Sequence, residues 1–279
     1  MRSNIVSFFR RLLTGLTAFL GFGLCLSCLS AVEQHLGLVG KEKRLAFAIS
    51  PISISHIEEN LSGVTWNPTT GTLFAITNSP QAIHELSPEG MLLRSIRLDG
   101  FSDTEDIAHM GGDLFAVVEE RRGFIRLIRI TDTTTSIRIE DSSGIDLGSH
   151  HEDNKGFESL LFDPSSRTLL TMRELPPYEL VSVTLNENNE PENIRRDPIS
   201  LDVRDVAALS RDRAGNLWIL SESSSCLILL DKEGRTRNSL SIRGGAIPFE
   251  PEGLTFGEDG NVFIVGEPNI FVTSCLMQP

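Results

Sequence analysis

An internal repeat constrains this 279-residue chain more than any other feature. Five segments align with one another: Leu61-Ser-Gly-Val-Thr-Trp66, Thr104-Glu-Asp-Ile-Ala-His109, Phe157-Glu-Ser-Leu-Leu-Phe162, Val206-Ala-Ala-Leu-Ser-Arg211 and Pro251-Glu-Gly-Leu-Thr-Phe256. Their second positions, 62, 105, 158, 207 and 252, lie 43, 53, 49 and 45 residues apart. A period of that length, filled with short β-rich runs between Pro, Gly, Asn and Asp turns, is that of a four-stranded propeller blade. No amphipathic helical period interrupts it.

Each segment leads through a turn into a second apolar run. The turns include Asn67-Pro-Thr-Thr-Gly71 and Asp212-Arg-Ala-Gly-Asn216, and the runs are Leu73–Thr77, Leu114–Val118, Leu169–Met172, Leu217–Leu220 and Val262–Val265. Turn chemistry therefore specifies the hairpins locally. Third and fourth strands follow, as at Ile83–Leu86 and Leu92–Leu98 or Cys226–Leu230 and Thr236–Ile242. The last module ends after three strands, and Leu45–Ser50 is expected to supply its fourth. The fold class is all-β, a propeller of five blades in one domain over residues 45–279. The alternative of six blades needs Asp141–Lys155 as a blade, but that stretch is short and polar and holds His150-His151-Glu152-Asp153, so it reads as a loop.

The same alignment carries chemistry. Strand one begins with Ser62, Glu105, Glu158, Ala207 and Glu252, and strand two ends with Asn78, Glu120, Glu174, Glu222 and Glu267. Cross-strand neighbours in a hairpin lie about 5 Å apart, so Glu105 should meet Glu120, Glu158 should meet Glu174, and Glu252 should meet Glu267 near one mouth of the channel. Three uses compete for such acids. They can accept backbone hydrogen bonds or pair with Arg121 or Arg173. They can hold a hard cation such as calcium, which takes about six to eight oxygen ligands, with Glu105, Glu120, Glu158, Glu174, Glu252, Glu267 and Asn78 as donors. Or they can serve as acid–base catalysts. No G-x-S-x-G, P-loop or H-E-x-x-H pattern offers another chemistry.

Charge is unevenly placed. The whole chain carries a formal −13, while residues 1–31 contain Arg2, Arg10 and Arg11 and no acid, leaving −16 for the remainder. That balance excludes a nucleic-acid partner, whose affinity rests on Lys and Arg displacing counterions. Leu12–Leu29 has no charged residue and as a helix would reach roughly 27 Å, about a bilayer core. Residues 1–31 are therefore expected to be a signal-anchor that meets the membrane through residues 12–29. A cleaved signal peptide and a lipoprotein at Cys28 are the alternatives. Arg10 and Arg11 before the run place the N-terminus in the cytoplasm and the repeat domain across the membrane.

Leu61–Trp66 with Thr77-Asn-Ser-Pro80, Thr104–Ile107, Gly156-Phe-Glu158, Asp205-Val206, and above all Pro251-Glu-Gly-Leu254 followed by Val265-Gly-Glu-Pro-Asn269, resemble the SdiA-regulated family. The likeness spans about residues 55–272 and implies a bacterial envelope protein with an N-terminal membrane segment and a propeller ectodomain related to phytase-like, calcium-associated propellers. The acidic positions Glu105, Glu120, Glu158, Glu174, Glu252 and Glu267 match the family pattern. Ala207 departs from it, with Asp205 the nearest acid. The expectation is a single-pass protein of the bacterial inner membrane with a periplasmic β-propeller. Its role would be to bind a small ligand or an envelope protein at an acidic, calcium-binding mouth. A metal-dependent phosphoester or ester hydrolase is the alternative, to be recognised by cationic or His partners beside the Glu cluster.

Overall fold

The computed structural model describes residues 51–148, 156–242 and 250–275. After the short strand β1 (Ile52–Ser53), blade one is formed by β2 (Leu61–Asn67), β3 (Thr72–Asn78), β4 (Gln81–Leu86) and β5 (Leu92–Asp99). Blade two begins with β6 (Thr104–Gly111), β7 (Leu114–Glu119) and β8 (Phe124–Arg129). The chain then crosses back, and β9 (Ser136–Arg138) adds in parallel to the edge of blade one before β10 (Ser143–Asp146) completes blade two. Blade three is β11 (Leu161–Asp163), β12 (Thr168–Met172), β13 (Glu179–Leu185) and β14 (Pro191–Pro198). Blade four is β15 (Ala208–Arg211), β16 (Leu217–Ser221), β17 (Cys226–Leu230) and β18 (Thr236–Ser241). Blade five combines β19 (Glu250–Phe256), β20 (Asn261–Glu267) and β21 (Ile270–Cys275) with β1. The inner strands touch in the closed order β2, β6, β11, β15, β19 and back to β2, so five blades form a ring.

Alternation along each strand explains why the second runs are apolar throughout. In β3, Phe74 and Ile76 pack with Phe115 and Val117 of blade two, whereas Leu73 and Ala75 pack with Phe263 and Val265 of blade five. Successive side chains point to opposite faces, and both faces of a blade are covered. Five apolar clusters result, one in each seam between neighbouring blades. Each fully buried Leu, Ile or Phe contributes about 1.5–3 kcal/mol. The expected turn chemistry is present: the Asn67 carboxamide oxygen accepts from Thr69 N at 3.0 Å, and Gly71, at φ +67°, closes the turn onto Asn67 O.

Two sequence expectations change. Asp141–Lys155 is not all loop, because Ser143–Asp146 forms the outer strand of blade two. Only Ile145 of that strand is buried, so its apolar signal is a single residue. Blade five is closed from the N-terminal side, as expected, but the pairing is made by Ile52 with Phe271 and Ser53 with Ile270. Leu45–Ser50 lies outside the described residues, as do the 1–31 segment and His150-His151-Glu152-Asp153. Among the described residues there is no α-helix, only the 3-10 turn Ile139–Asp141, and no helix long and apolar enough to cross a membrane.

Candidate functional site

Three of the five inner strands carry the same irregularity at their first turn of chain. The pairing register slips between Leu61 and Gly63, between Thr104 and Asp106, and between Pro251 and Gly253. Ser62, Glu105 and Glu252 are therefore bulge residues, and a bulge re-aims a side chain that regular alternation would bury. In blade two the neighbours on both sides turn inward: the Thr104 hydroxyl donates to Thr77 O at 2.9 Å, and the Asp106 carboxylate accepts from Leu160 N at 2.6 Å and Ile107 N at 2.8 Å. Glu105 is left facing the channel. The inner strands are so close here that a Cβ on Gly63 would stand 2.2 Å from Asp106 Oδ1.

The bulges deliver their residues to a cavity of about 230 Å³ at one end of the channel. Blade one supplies Ser62 and Asn78, blade two Glu105, and blade three Glu158 and Glu174. Ala207 and Glu222 come from blade four, and Glu252 and Glu267 from blade five. Nine of the ten lining residues are thus the strand-one starts and strand-two ends read from the repeat, and Asp205 is the tenth. Asp205 stands in for the acid that Ala207 lacks. It is itself held, accepting from the Ser221 hydroxyl and from Ser223 N.

Glu120 lies behind this lining, 1% exposed. Its Oε1 accepts from Gly156 N at 2.8 Å, and its Oε2 is buried with no hydrogen-bond partner. Ligand atoms of Asp103, Glu105 and Glu120 lie within 4.8 Å of one another, and so do those of Glu120, Glu158 and Glu174. The expected meetings of Glu105 with Glu120 and of Glu158 with Glu174 are therefore made. Glu252 and Glu267 share the cavity, but the bulge shifts the register so that the direct partner of Glu267 is Glu250. Asn78 approaches Glu105 as a donor, Nδ2 to Oε1 at 2.9 Å. Arg121 pairs with Asp103, Nε to Oδ2 at 3.3 Å.

Asp103 escaped the sequence reading, although a signal for it exists. The residues two positions before each strand-one start are Asn60, Asp103, Gly156, Asp205 and Glu250. Backbone N–H groups of Asn78, Glu120 and Glu174 donate to the carbonyls of Asn60, Asp103 and Gly156, respectively. The same frame that placed the strand-two ends thus also locates this outer ring. Asn60 and Asp103 take φ of 60° and 56°, which Asn and Asp tolerate better than most residues.

Burial dominates the electrostatics. It pushes Glu105 up to about 7, with the Asn78 hydrogen bond opposing and the Asp103 charge adding to the rise. Burial raises Glu120 to about 8 against the Gly156 hydrogen bond, with Glu105 and Asp103 contributing. Glu252 is likewise pushed to about 8 by burial and then by Glu222 and Glu105, while burial and the Glu174 charge hold Glu158 well above the ordinary range. Like charges in a confined space oppose each other's ionisation. The donor set is entirely oxygen, which suits a hard cation.

Comparison with solved structures supports the propeller fold. A calcium-binding protein, regucalcin, from Agrobacterium tumefaciens is 11% identical, with 82% of this chain and 93% of that one covered and a TM-score of 0.53. A protein of unknown function from Bacteroides thetaiotaomicron is 12% identical over 76% of this chain and 54% of that one, with a TM-score of 0.52. For the catalytically inactive virginiamycin B lyase from Staphylococcus aureus the identity is 16% and the TM-score 0.45, over 78% of this chain; this chain spans 66% of the lyase's length. The model of the SdiA-regulated family matches residues 41–274, covering all five blades and every acid of the cavity, and the chain belongs to that family.

Proposed function

We propose that this protein is a membrane-tethered envelope propeller whose acidic cavity binds a divalent cation, calcium by its oxygen-rich donor set, and acts as a binding module for a small ligand or a protein. One observation carries the reading: carboxylates from four blades converge on a cavity that, among the described residues, no Lys, Arg or His lines. Such a cluster is costly unless protonated or neutralised, and the unpartnered Glu120 Oε2 is the atom at which that cost is most visible. Among the described residues the cavity lining carries no cationic or imidazole partner, the expected mark of the hydrolase, so the binding reading is favoured over catalysis. The tether follows from Arg10, Arg11 and the uncharged run 12–29. The Agrobacterium propeller shares only the fold at its level of identity, so calcium is argued here from the carboxylates themselves.

The test is thermal unfolding of the full chain with and without calcium. At a hundredfold excess over its dissociation constant a ligand stabilises by about 2.7 kcal/mol, which for a domain of this size is roughly 5–10 °C. Glu105→Gln combined with Glu158→Gln should remove most of that gain. An unchanged midpoint in millimolar calcium would sink the cation reading.

A further inference from the structure

Within the cation reading, the two carboxylate triads set how many ions the site holds. Oxygens bound to one calcium at about 2.4 Å can be at most about 4.8 Å apart. Asp103, Glu105 and Glu120 meet that limit together, as do Glu120, Glu158 and Glu174, and among the described residues no larger set of these five does. In this side-chain arrangement one ion does not reach all five. Glu120 belongs to both triads, and its two oxygens are differently placed: Oε1 accepts from Gly156 N, while Oε2 is buried and has no partner. A buried acceptor without a donor is rare and costly.

We infer that the site is a two-cation centre at the seam of blades two and three, with Glu120 as the shared ligand. Asp103 and Glu105 complete the first position, and Glu158 and Glu174 complete the second. Charge supports the count. With Arg121 paired to Asp103 at 3.3 Å in either case, five carboxylates against one dication leave two negative charges, whereas two dications leave none. Glu252 and Glu267 belong to neither triad and line the same cavity. The inference rests on the cation reading, and stoichiometry separates the two.

The experiment is calcium titration of the full chain by calorimetry, with native mass spectrometry as the count, and terbium-to-europium energy transfer to report whether two ions are adjacent. The wild-type protein should bind two ions and show transfer. Glu105→Gln and Glu174→Gln should each leave one ion and abolish transfer. Glu120→Gln should weaken both positions by at least tenfold. Circular dichroism of each variant reports folding, and the Glu105 and Glu174 variants test the inference even if Glu120→Gln does not fold. A single ion in the wild-type protein, or two ions retained in Glu120→Gln, overturns the shared-ligand centre while leaving the cation reading in place. No ion at all in the wild-type protein overturns both.

Discussion

The two ends of the channel are made by the same five inner strands and have opposite chemistry. At one end the strand starts and their hairpin partners enclose about 230 Å³ with carboxylates. At the other, the far ends of those strands enclose about 490 Å³, lined largely by apolar groups such as Val64, Trp66, Leu209, Leu254 and Phe256. Two of the polar groups there are used between blades. Thr65 Oγ1 accepts from His109 N, and Thr255 Oγ1 accepts from Trp66 N, each at 3.1 Å. Both threonines stand three residues after the strand-one start, so the equivalent position in blades one and five stitches one blade to the next. The apolar end is stitched by its own chain, although Trp66 Nε1 and Arg211 Nε are buried there without a hydrogen-bond partner, whereas the acidic end gathers carboxylates whose pKa burial and like charge raise. The contrast separates a mouth that fastens the ring from one that concentrates like charge.

The largest expected effect lies at the fastening end. Leu254, 2% exposed, packs in the seam of blades four and five, and Leu254→Ala should cost about 2–5 kcal/mol in denaturant unfolding while leaving the calcium-induced gain unchanged. Loss of that gain would show that the two ends are not independent.

Next comes the pH response of the cation-free acidic end. Glu105, Glu120 and Glu252 titrate at about 7, 8 and 8 in the folded protein against an ordinary 4.5. The folded state thus binds more protons than the unfolded one between these values, so stability is fully present below about pH 4.5 and is lost as pH rises toward 8. Melting temperatures measured across that range in a chelator should fall, and calcium should flatten the decline. Glu252→Gln should raise cation-free stability near pH 9 by about 1–3 kcal/mol, an opposite sign to most buried substitutions. A destabilised Glu252→Gln protein at that pH would contradict the electrostatic account. The smallest effect is Thr255→Val, which removes one stitch and should cost about 0.5–1.5 kcal/mol by thermal unfolding, again without touching the calcium response.

Much of the fold was legible because each blade repeats two local instructions, a tight turn and an apolar run covered on both faces. The second runs begin and end within a residue or two of β3, β7, β12, β16 and β20. Outer strands were harder to read. Ser143–Asp146 buries only Ile145, and Ser136–Arg138 adds to a blade that is not its sequence neighbour, so neither leaves a pattern in its own residues. The closing pair is two residues long, which is below any period. At the site, the residues were named from their spacing, and their partners were not. A simple hairpin predicts Glu252 opposite Glu267; the bulge at Pro251–Gly253 replaces that partner with Glu250, and a bulge is decided by how closely β19 and β2 approach, a tertiary fact. Asp103 was missed because the reading stopped at strand-one starts, while the backbone bonds that organise the site begin two residues earlier.

Blade five draws its outer strand from Ile52–Ser53 and its other three from residues 250–275. During synthesis, therefore, four blades can be complete on the ribosome while β1 has nothing to pair with, since Phe271 is made more than two hundred residues after Ile52. The junction is small, reinforced by Asn269, whose Nδ2 donates to Ile57 O at 2.6 Å and whose carbonyl accepts from Ile54 N at 2.9 Å. A contact of such long sequence separation forms late and slowly. The ring is thus a clasp that only the finished polypeptide can fasten, and until then the last seam, with Phe263 and Phe271, stands open to whatever escorts the nascent chain.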